Sequence, residues 1–396
     1  MIADLLKKFL SLFSRLSVVQ RIYKKYVTKD IIGLNFDPCN KDQKRVLIIY
    51  LSPLFSNPDR VLHANWFHYY EILHYFMQKD YCIDICDCHE NGANAEFKDY
   101  LYDIIIGFGE PYKTLVKTHK EAFKILFLTE NVPSVARKKY QERLFYFKRR
   151  HPEVKCFKDN CRIKYYDDEQ VRLSDACIVM NSPYNADNLK TFNIPYKTIV
   201  SNAIANDLFK FEYNPKDFKR RINKIVFFGC NGLIHKGLDI VLDAFGMSPN
   251  YSLDIFGLSN EDRKLFNRLK YANCYDCGSV NVMDVDFLKK VVNEHAFVIL
   301  DSCSEGMNTG VVTCMLHGLI PIVTREVGIF DEGAIILEDY KVEYVKKVLD
   351  NVLTMTEEEL LELRAVAYSF AQKNYTIDRF KETFATAMTQ LSKFKT

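Results

Sequence analysis

The sequence of 396 residues has no apolar run of the roughly 18–20 residues that a membrane-spanning helix needs, so we do not expect a transmembrane protein. It also lacks a solenoid-type repeat and any low-complexity segment. Apolar residues make up 48% and charged residues 27%, which is a globular composition. At about 100–200 residues per domain, this length predicts two domains or one large one.

No secretory signal is recognisable, because Arg15 interrupts the first apolar stretch and no small-residue cleavage site follows it. The twelve cysteines are therefore expected to be free thiols in a reducing compartment, and we expect a cytoplasmic protein.

Two groups of cysteines are candidates for a structural zinc site. One is Cys82, Cys86 and Cys88, and the other is the C-x-x-C formed by Cys274 and Cys277. The second half of a zinc-binding pattern is missing from both. This favours cysteines that serve as small apolar residues, so no metal site is predicted.

Charge of one sign is not in excess, since 54 Lys and Arg residues face 51 Asp and Glu residues. Residues 1–30 hold seven basic and two acidic residues, which leaves the rest of the chain slightly acidic. No nucleic-acid partner is expected. Apolar residues over 2–26 recur at helical spacing, which predicts a basic amphipathic helix. The apolar face of this helix could contact either an anionic membrane interface or the protein's own domain.

From residue 44 onward, short apolar runs alternate with helical patterns. The first series of predicted strands is 45–51, 81–86, 102–108, 124–129, 176–181 and 197–201. The second series is 224–229, 251–257, 296–302 and 319–324, followed by helices over 340–394. Such alternation is typical of parallel sheets covered on both faces by helices.

We therefore predict an α/β protein with two doubly wound, Rossmann-like domains facing each other across a cleft. Residues 1–40 form the amphipathic helix and a linker, and 41–205 form the first domain. Residues 206–375 form the second domain, with a linker near 206–220. A C-terminal helix over 376–396 has the option of packing back on the first domain.

Ligands of open parallel sheets bind beyond the carboxyl ends of the strands, so polar residues there are site candidates. After 296–302, a short helix is predicted to begin near Thr309, with Asn308 as its N-cap. The amides of Thr309, Gly310 and Val311 would form an anion site suited to a diphosphate. Glu305 would accept hydrogen bonds from sugar hydroxyls. An ordinary strand–turn–helix with a solvated Glu305 is the alternative.

The strand 224–229 ends at Gly229 and leads through a small-residue loop containing Gly232 to Lys236 and Gly237. A lysine at the first turn of a helix opposes the helix dipole and is best tolerated beside an anion. A solvated lysine is the alternative, and the segment is not a Walker loop.

Taken together, these segments resemble the donor-binding domain of the retaining GT-B glycosyltransferases, namely glycosyltransferase family 4 and its relatives. The matching segments are TIVSNAIANDLF, HKGLDIVLDAF and SEGMNTGVVTCMLHGLIPIVT. The resemblance covers about residues 175–330 by motif and 41–390 by the order of strands and helices. It implies a GT-B fold with the nucleotide-sugar site in the second domain.

The resemblance implies a role for individual residues. Glu305 would contact the donor sugar and Lys236 the diphosphate, with no metal or other cofactor. The remaining donor-site residues would be Gly229, Cys230, Gly232, Gly306, Asn308, Thr309, Gly310, Val311 and Thr313.

Two positions depart from the family pattern. Thr313 replaces a glutamate that usually holds the ribose, and Cys230 replaces an arginine. The diphosphate would thereby lose a cation, and the ribose would lose a carboxylate acceptor. His235 and Arg325 are the candidates to replace the missing positive charge.

The first domain offers two further catalytic candidates. Glu130, at the end of the strand 124–129, would orient or deprotonate an acceptor hydroxyl. A helix-capping turn, with Asn131 before a helix that Pro133 starts, is the favoured alternative. His63, after the first strand, is a cleft candidate near the anomeric carbon and equally a capping or packing residue.

The implied reaction is transfer of a sugar from a nucleotide sugar to an acceptor hydroxyl with retention of configuration. A glycan or lipid-linked acceptor of bacterial surface polysaccharide assembly is expected, at the inner face of the membrane. The basic residues Arg137, Lys138, Lys139, Arg143, Lys148, Arg149 and Arg150 would suit an anionic surface or acceptor. A nucleotide-sugar epimerase and a non-catalytic binding protein with a decayed donor site are the alternatives.

Overall fold

The computed structural model describes residues 30–51, 64–88, 95–155, 157, 165–204, 221–229, 231–269, 271–282 and 284–394. The predicted helix within 1–40 and the linker at 206–220 lie outside these ranges, apart from residues 30–40. None of the described helices is long and apolar enough to cross a membrane.

Two separate sheets form the framework of the described residues. The first contains β1 (Ile31–Leu34), β2 (Arg45–Tyr50), β3 (Cys82–Asp87), β4 (Ile104–Gly107), β5 (Phe123–Leu128), β6 (Ala176–Met180) and β7 (Tyr196–Ile199). The second contains β8 (Lys224–Phe228), β9 (Ser252–Phe256), β10 (Cys274–Asp276), β11 (Phe297–Leu300), β12 (Ile320–Thr324) and β13 (Ile335–Leu337). The prediction of two Rossmann-like sheets is therefore confirmed.

The strand order runs β1-β3-β2-β4-β5-β6-β7 in the first sheet and β10-β9-β8-β11-β12-β13 in the second. All pairs are parallel except β1 with β3, which is antiparallel and departs from the all-parallel prediction. The predicted strands do not include β1, β10 and β13, which are three or four residues long and lie at sheet edges. Edge strands are partly exposed and so carry a weaker apolar signal than the buried central strands.

Helices alternate with the strands as predicted. They are α1 (Ala64–Gln78), α2 (Glu110–Thr118), α3 (Pro133–Arg150), α4 (Asp168–Leu173), α5 (Pro183–Ala186), α6 (Leu238–Gly246), α7 (Asn260–Leu269), α8 (Val285–Glu294), α9 (Thr309–Leu316), α10 (Val342–Thr354), α11 (Glu357–Asn374) and α12 (Ile377–Leu391). Short 3₁₀ turns occupy Ala95–Asp99, Asp187–Phe192, Arg325–Val327 and Ser392–Phe394.

Several helix starts are fixed by local side chains. Thr356 and Glu359 form a capping box at α11, and the side chain of Thr376 caps α12. The central strands are buried along almost their whole length, as β6 and β12 show. This burial, with helices packed on both faces, explains their continuous apolar sequence.

The last helix returns to the first sheet. α12 packs against β7 and α1, although α10 and α11, which precede it, pack against the second sheet. The Ala203 amide, just after β7, donates to the carbonyl oxygen of Tyr375 over 2.8 Å. The carboxyl end of the chain thus contributes to the core around the first sheet.

Candidate functional site

Two buried charged side chains meet where the strand order of the second sheet reverses. β8 and β11 are parallel neighbours there, although β9 and β10 separate them in the chain. Lys236 follows β8 and Glu305 follows β11, and Lys236 Nζ donates to Glu305 Oε1 over 2.6 Å. The two residues are 3% and 4% exposed. Such a reversal opens a crevice beyond the carboxyl ends of the strands, where ligands bind in doubly wound sheets.

The backbone around Lys236 permits this position. Gly237 has a φ of +69°, and a Cβ there would lie 2.0 Å from the carbonyl oxygen of Asp301, so only glycine fits. Gly229 lies beside the lysine, since a Cβ at 229 would be 3.3 Å from Lys236 Cδ. The Lys236 amide donates to the Gly232 carbonyl oxygen over 2.8 Å.

Lys236 lies just outside helix α6, whose N-cap is Gly237, and not in its first turn as predicted. The anion beside this lysine is the carboxylate of Glu305, which also accepts a hydrogen bond from Ser302 Oγ at 3.0 Å. Because both charges are buried, each depends on the other for compensation.

His235 connects the loops that carry the ion pair. Its Nε2 donates to the Ser304 carbonyl oxygen over 2.6 Å, and its own carbonyl oxygen accepts from the Cys303 amide at 2.9 Å. Arg325, the other candidate for the missing positive charge, pairs with Glu338 and with Asp331. In this structure both side chains therefore hold neighbouring loops.

At the start of α9, where an anion site was predicted, one of the three amides is already hydrogen-bonded. Asn308 is its N-cap as predicted, and its Oδ1 accepts from the Val311 amide at 3.0 Å. Val311 was expected to offer its amide to a ligand, but this bond occupies it. The amides of Thr309 and Gly310 are half-buried and have no acceptor among the described residues. A Cβ on Gly310 would lie 2.9 Å from the Phe228 carbonyl oxygen, so this helix start packs on the end of β8.

Thr313, at the position of the family's ribose-binding glutamate, makes a hydrogen bond to another segment of the chain. Its Oγ1 accepts a hydrogen bond from the Ile204 amide at 3.0 Å, and the residue is buried. This contact joins α9 to the segment that follows β7.

On the opposite side, Glu130 follows β5 and is half-buried. Helix α3 begins at Pro133 as expected, but its N-cap is Val132 and no side chain caps it. The interpretation of Asn131 as a capping residue is therefore wrong. Asn131 instead donates to Asn185 Oδ1 over 3.2 Å, so it joins the segment after β5 to helix α5.

The loops of the two sheets are in direct contact at the carboxyl ends of the strands. A Cβ on Gly306 would lie 1.9 Å from the Thr129 carbonyl oxygen and 2.9 Å from that of Met180. The Ser201 amide lies 3.2 Å from Met307 Sδ. Met180 ends β6, and Thr129 and Ser201 lie just after β5 and β7. The Glu305 loop therefore packs directly on that edge of the first sheet.

A buried ion pair between the sheets was not predicted as such. The Arg143 guanidinium on α3 makes two hydrogen bonds to the Asp301 carboxylate, at 2.8 and 3.0 Å, and lies over the Tyr340 ring. Burial raises the pKa of Asp301 to about 7, against the opposing effect of Arg143. Arg143 was predicted to belong to a basic surface. The one sequence signal for a different role is its spacing, which puts Arg143 on the same helical face as Lys139 and Arg150.

His63 and Cys230 lie outside the described residues. The candidate zinc ligands Cys82, Cys86 and Cys88 are buried free thiols on or just after β3, and Cys274 is buried on β10. Within the described ranges, no three His, Cys, Asp or Glu side chains form a group that could hold a metal ion.

No protein-family model matches the chain, and no curated protein matches it by sequence. Solved structures do match. HepE from Anabaena, crystallised with UDP and glucose, is similar over 88% of this chain and 100% of its own, with a TM-score of 0.55 and 11% identity. Sucrose-phosphate synthase from Thermosynechococcus elongatus is similar over 89% and 100%, with a TM-score of 0.56 and 12% identity.

The N-terminal domain of trehalose-6-phosphate phosphatase from Candida albicans is similar over 92% of this chain and 100% of its own. Its TM-score is 0.56 and its identity 12%. At such identities these similarities establish the fold alone. The chain has the GT-B fold, as the sequence resemblance implied.

Proposed function

We propose that this protein transfers a sugar from a nucleotide-sugar donor to an acceptor hydroxyl with retention of configuration. The observation that carries the proposal is the buried Lys236–Glu305 pair beside the start of α9, at the reversal of strand order in the second sheet. The GT-B fold shared with HepE, which was crystallised with UDP and glucose, supports it.

The proposed chemistry uses the cation and the amides at this edge. Departure of a nucleoside diphosphate breaks the bond between the anomeric carbon and a phosphate oxygen, and negative charge develops on the phosphate. Lys236 and the amides of Thr309 and Gly310 stabilise that charge. The acceptor oxygen forms the new bond on the same face, and its proton passes to the leaving phosphate oxygen. No protein nucleophile is needed.

Glu305 binds hydroxyls of the donor sugar in this proposal and holds Lys236 in place before the donor arrives. Glu130 lies at the first sheet's edge, where it orients the acceptor hydroxyl. No metal cofactor is part of the proposal.

A non-catalytic sugar- or partner-binding protein is the second candidate. The observation in its favour is Thr313, whose hydroxyl is held by the Ile204 amide at the position where the family pattern has a ribose-binding glutamate. Such a protein binds its ligand without turnover, and this separates the two candidates.

The test is calorimetry and turnover with UDP, GDP, CMP and their common sugars. We expect one nucleotide to bind the wild-type protein and Lys236→Met to weaken it at least about tenfold, the loss of a hydrogen bond to a charged group. Lys113→Met is the matched control, because Lys113 also pairs with carboxylates but lies on α2, away from this edge.

The anomeric configuration of the product, read by NMR, tests retention. An inverted product contradicts the mechanism proposed above. Nucleotide binding without turnover for any acceptor favours the non-catalytic candidate. Interconversion of the donor sugar without an acceptor indicates an epimerase.

We further propose a lipid-linked or surface-glycan acceptor at the cytoplasmic face of an anionic membrane. The exposed face of α3 supports this, since it carries an exposed phenylalanine among basic side chains: Arg137, Lys138, Phe145, Lys148 and Arg149. Removal of residues 1–30, combined with charge reversal of Lys148 and Arg149, should abolish cosedimentation with anionic vesicles. Unchanged cosedimentation contradicts the membrane proposal.

A further inference from the structure

One carbonyl oxygen at the contact between the sheets accepts hydrogen bonds from both sides. It belongs to Glu326, in the 3₁₀ turn Arg325–Val327 that follows β12. The Glu305 amide donates to it over 2.9 Å, and Nδ2 of Asn185, on α5, donates to it over 3.2 Å. Because α5 follows β6 of the first sheet, a single peptide group joins that side of the molecule to the residue that pairs with Lys236.

The side chain of Glu326 makes a second connection to the same side. Its Oε1 accepts a hydrogen bond from Lys139 Nζ, on α3, at 2.8 Å. The two side chains are 22% and 26% exposed, so water and salt screen this ion pair less than a fully exposed one. A lysine and a side-chain amide, both on helices that follow strands of the first sheet, therefore hold Glu326.

The Asn185 amide is itself fixed in orientation. The residue is fully buried, and its Oδ1 accepts from Asn131 Nδ2 at 3.2 Å. Asn131 Oδ1 in turn accepts from Asn188 Nδ2 at 3.1 Å and from the Val132 amide at 2.7 Å. This chain of amides leaves the Asn185 Nδ2 group directed at the Glu326 carbonyl oxygen.

The turn also packs on the residues that follow Glu305. The Asn308 amide donates to the Val327 carbonyl oxygen over 3.1 Å. Gly328 has a φ of +81°, and a Cβ there would collide with the Gly306 carbonyl oxygen. With the bond from the Glu305 amide, these contacts hold the loop against the turn along its length. A shift of the turn therefore moves Glu305 with it.

We infer that Glu326 is a positioning residue for Glu305, and that it transmits the hold of α3 and α5 to the carboxylate that pairs with Lys236. The inference rests on the proposed function, in which Glu305 binds the donor sugar. It adds that the place of Glu305 is set from the first sheet's side of the molecule. Loss of the Lys139–Glu326 pair then weakens sugar binding, although neither residue is assigned to the donor.

Backbone hydrogen exchange, read by mass spectrometry, measures the position of the loop without any ligand, because it reports local opening. The peptides of interest cover 302–308. The proteins are wild type, Lys139→Met and Lys139→Arg, which keeps the charge opposite Glu326. Lys113→Met is the matched control, since Lys113 also pairs with carboxylates but lies on α2, away from this edge.

We expect exchange over 302–308 to be about twofold to fivefold faster in Lys139→Met, as the loss of a partly exposed ion pair predicts. Lys139→Arg should return exchange to the wild-type rate, and Lys113→Met should leave it unchanged. Exchange in peptides from β4 and β5 should be equal in all four proteins, because the effect is local.

Calorimetry with UDP, GDP and ADP and with their sugar conjugates gives the second readout. Lys139→Met should bind the free nucleotide as wild type does and lose nucleotide-sugar affinity by about the same twofold to fivefold. Lys139→Arg should restore that affinity. A general loss of stability would not separate the sugar-dependent part from the binding of the nucleotide.

Unchanged exchange over 302–308 in Lys139→Met overturns the inference, whether or not a nucleotide binds. Faster exchange with wild-type sugar-dependent affinity also overturns it, because Glu305 then keeps its place for the sugar. If no nucleotide binds wild type, the proposed function fails, and hydrogen exchange alone decides. Faster exchange in Lys139→Met that Lys139→Arg reverses then still supports Glu326 as the residue that positions Glu305.

Discussion

At the scale of single residues, Gly306 limits how closely the two sheets can approach. Its Cα faces the carbonyl oxygens of Thr129, just after β5, and of Met180, at the end of β6, and no side chain fits between them. Glycine is required at position 306 because another segment of the chain approaches it closely. The sequence shows the glycine but does not show which segment approaches it. Lys236 and Glu305 could be predicted as site residues from the sequence, because each follows a strongly apolar strand.

Gly306→Ala should separate the two edges, since its methyl group would lie 1.9 Å from the Thr129 carbonyl oxygen. We expect a loss of about 1–3 kcal/mol in the free energy of unfolding, as for overpacked sites, together with weaker nucleotide-sugar binding. Gly278→Ala is the control for a loss of stability without a clash between the sheets, because its φ of +89° strains an alanine but a methyl group there meets no atom within 4 Å. Urea denaturation and calorimetry of both variants test this. Nucleotide-sugar binding that is as strong in Gly306→Ala as in Gly278→Ala would contradict a steric role for Gly306.

His317 predicts a dependence of stability on pH. Burial lowers its pKa below the usual 6.5, and its Nδ1 donates to the Thr313 carbonyl oxygen over 2.7 Å. As the pH falls below about 6.5, the unfolded chain therefore takes up a proton before the folded chain does, and folding stability is lost. Asp301, whose pKa is raised, acts in the opposite direction between its ordinary value and about 7.

His317→Gln should lose less unfolding free energy than wild type on acidification from about pH 7.5 to about pH 5.5. Urea denaturation at the two pH values measures the difference. An identical loss in wild type and variant would show that His317 does not contribute. His119 and His151 also have lowered pKa values, through burial, and remain present in both proteins.

At the scale of elements, helix α3 has two basic faces with different roles. One face contacts the helix α6 and the loops next to the second sheet: Lys139 binds Glu326, Arg143 binds Asp301, and Arg150 binds Asp239 and Asp243. The remaining basic residues are exposed around Phe145. The sequence showed seven basic residues on one helix. The structure divides them into two groups, because some of them pair with carboxylates on other elements and the others are exposed.

Arg143→Met should cost about 3–5 kcal/mol of unfolding free energy, because it leaves the Asp301 carboxylate buried and unpaired. The double variant Arg143→Met/Asp301→Leu should recover most of this loss, because no buried charge then remains. Denaturation of the single and double variants measures the coupling. If the double variant loses as much unfolding free energy as the two single variants together, Arg143 and Asp301 are not energetically coupled.

At the scale of the whole molecule, α12 joins the end of the chain to the first sheet. The ring centroid of Phe384 lies 5.3 Å from that of Tyr75 on α1 and 6.4 Å from that of Phe127 on β5. Phe380 stacks on His68 with centroids 4.5 Å apart. A first domain defined only by residues 41–205 would leave this apolar surface uncovered, so we expect its stability to depend on α12.

Phe384→Ala should lower the free energy of unfolding by about 3–5 kcal/mol, the usual cost of removing a buried phenylalanine. The single tryptophan of the chain, Trp66, lies on α1, so its fluorescence reports unfolding around the first sheet. Phe394→Ala is the control, since Phe394 is 52% exposed on the same terminal segment. An unchanged Trp66 transition in Phe384→Ala would mean that α12 does not stabilise the first sheet.

The sequence by itself determined the two α/β sheets, the central strands and the two loops that carry Lys236 and Glu305. The physical reason is that buried parallel strands are continuous apolar runs and that binding residues follow their carboxyl ends. Local rules also fixed Asn308 as the cap of α9, because capping depends on residues within one turn.

Only the tertiary structure decided which strand ends meet. The strand order placed β8 beside β11 and so joined Lys236 to Glu305. The packing of the first part of the fold on the second paired Arg143 with Asp301 and bonded Thr313 to the segment after β7. These contacts join residues that are far apart in the chain. They form only when whole helices and strands pack in the correct register, and a local sequence pattern does not show that register.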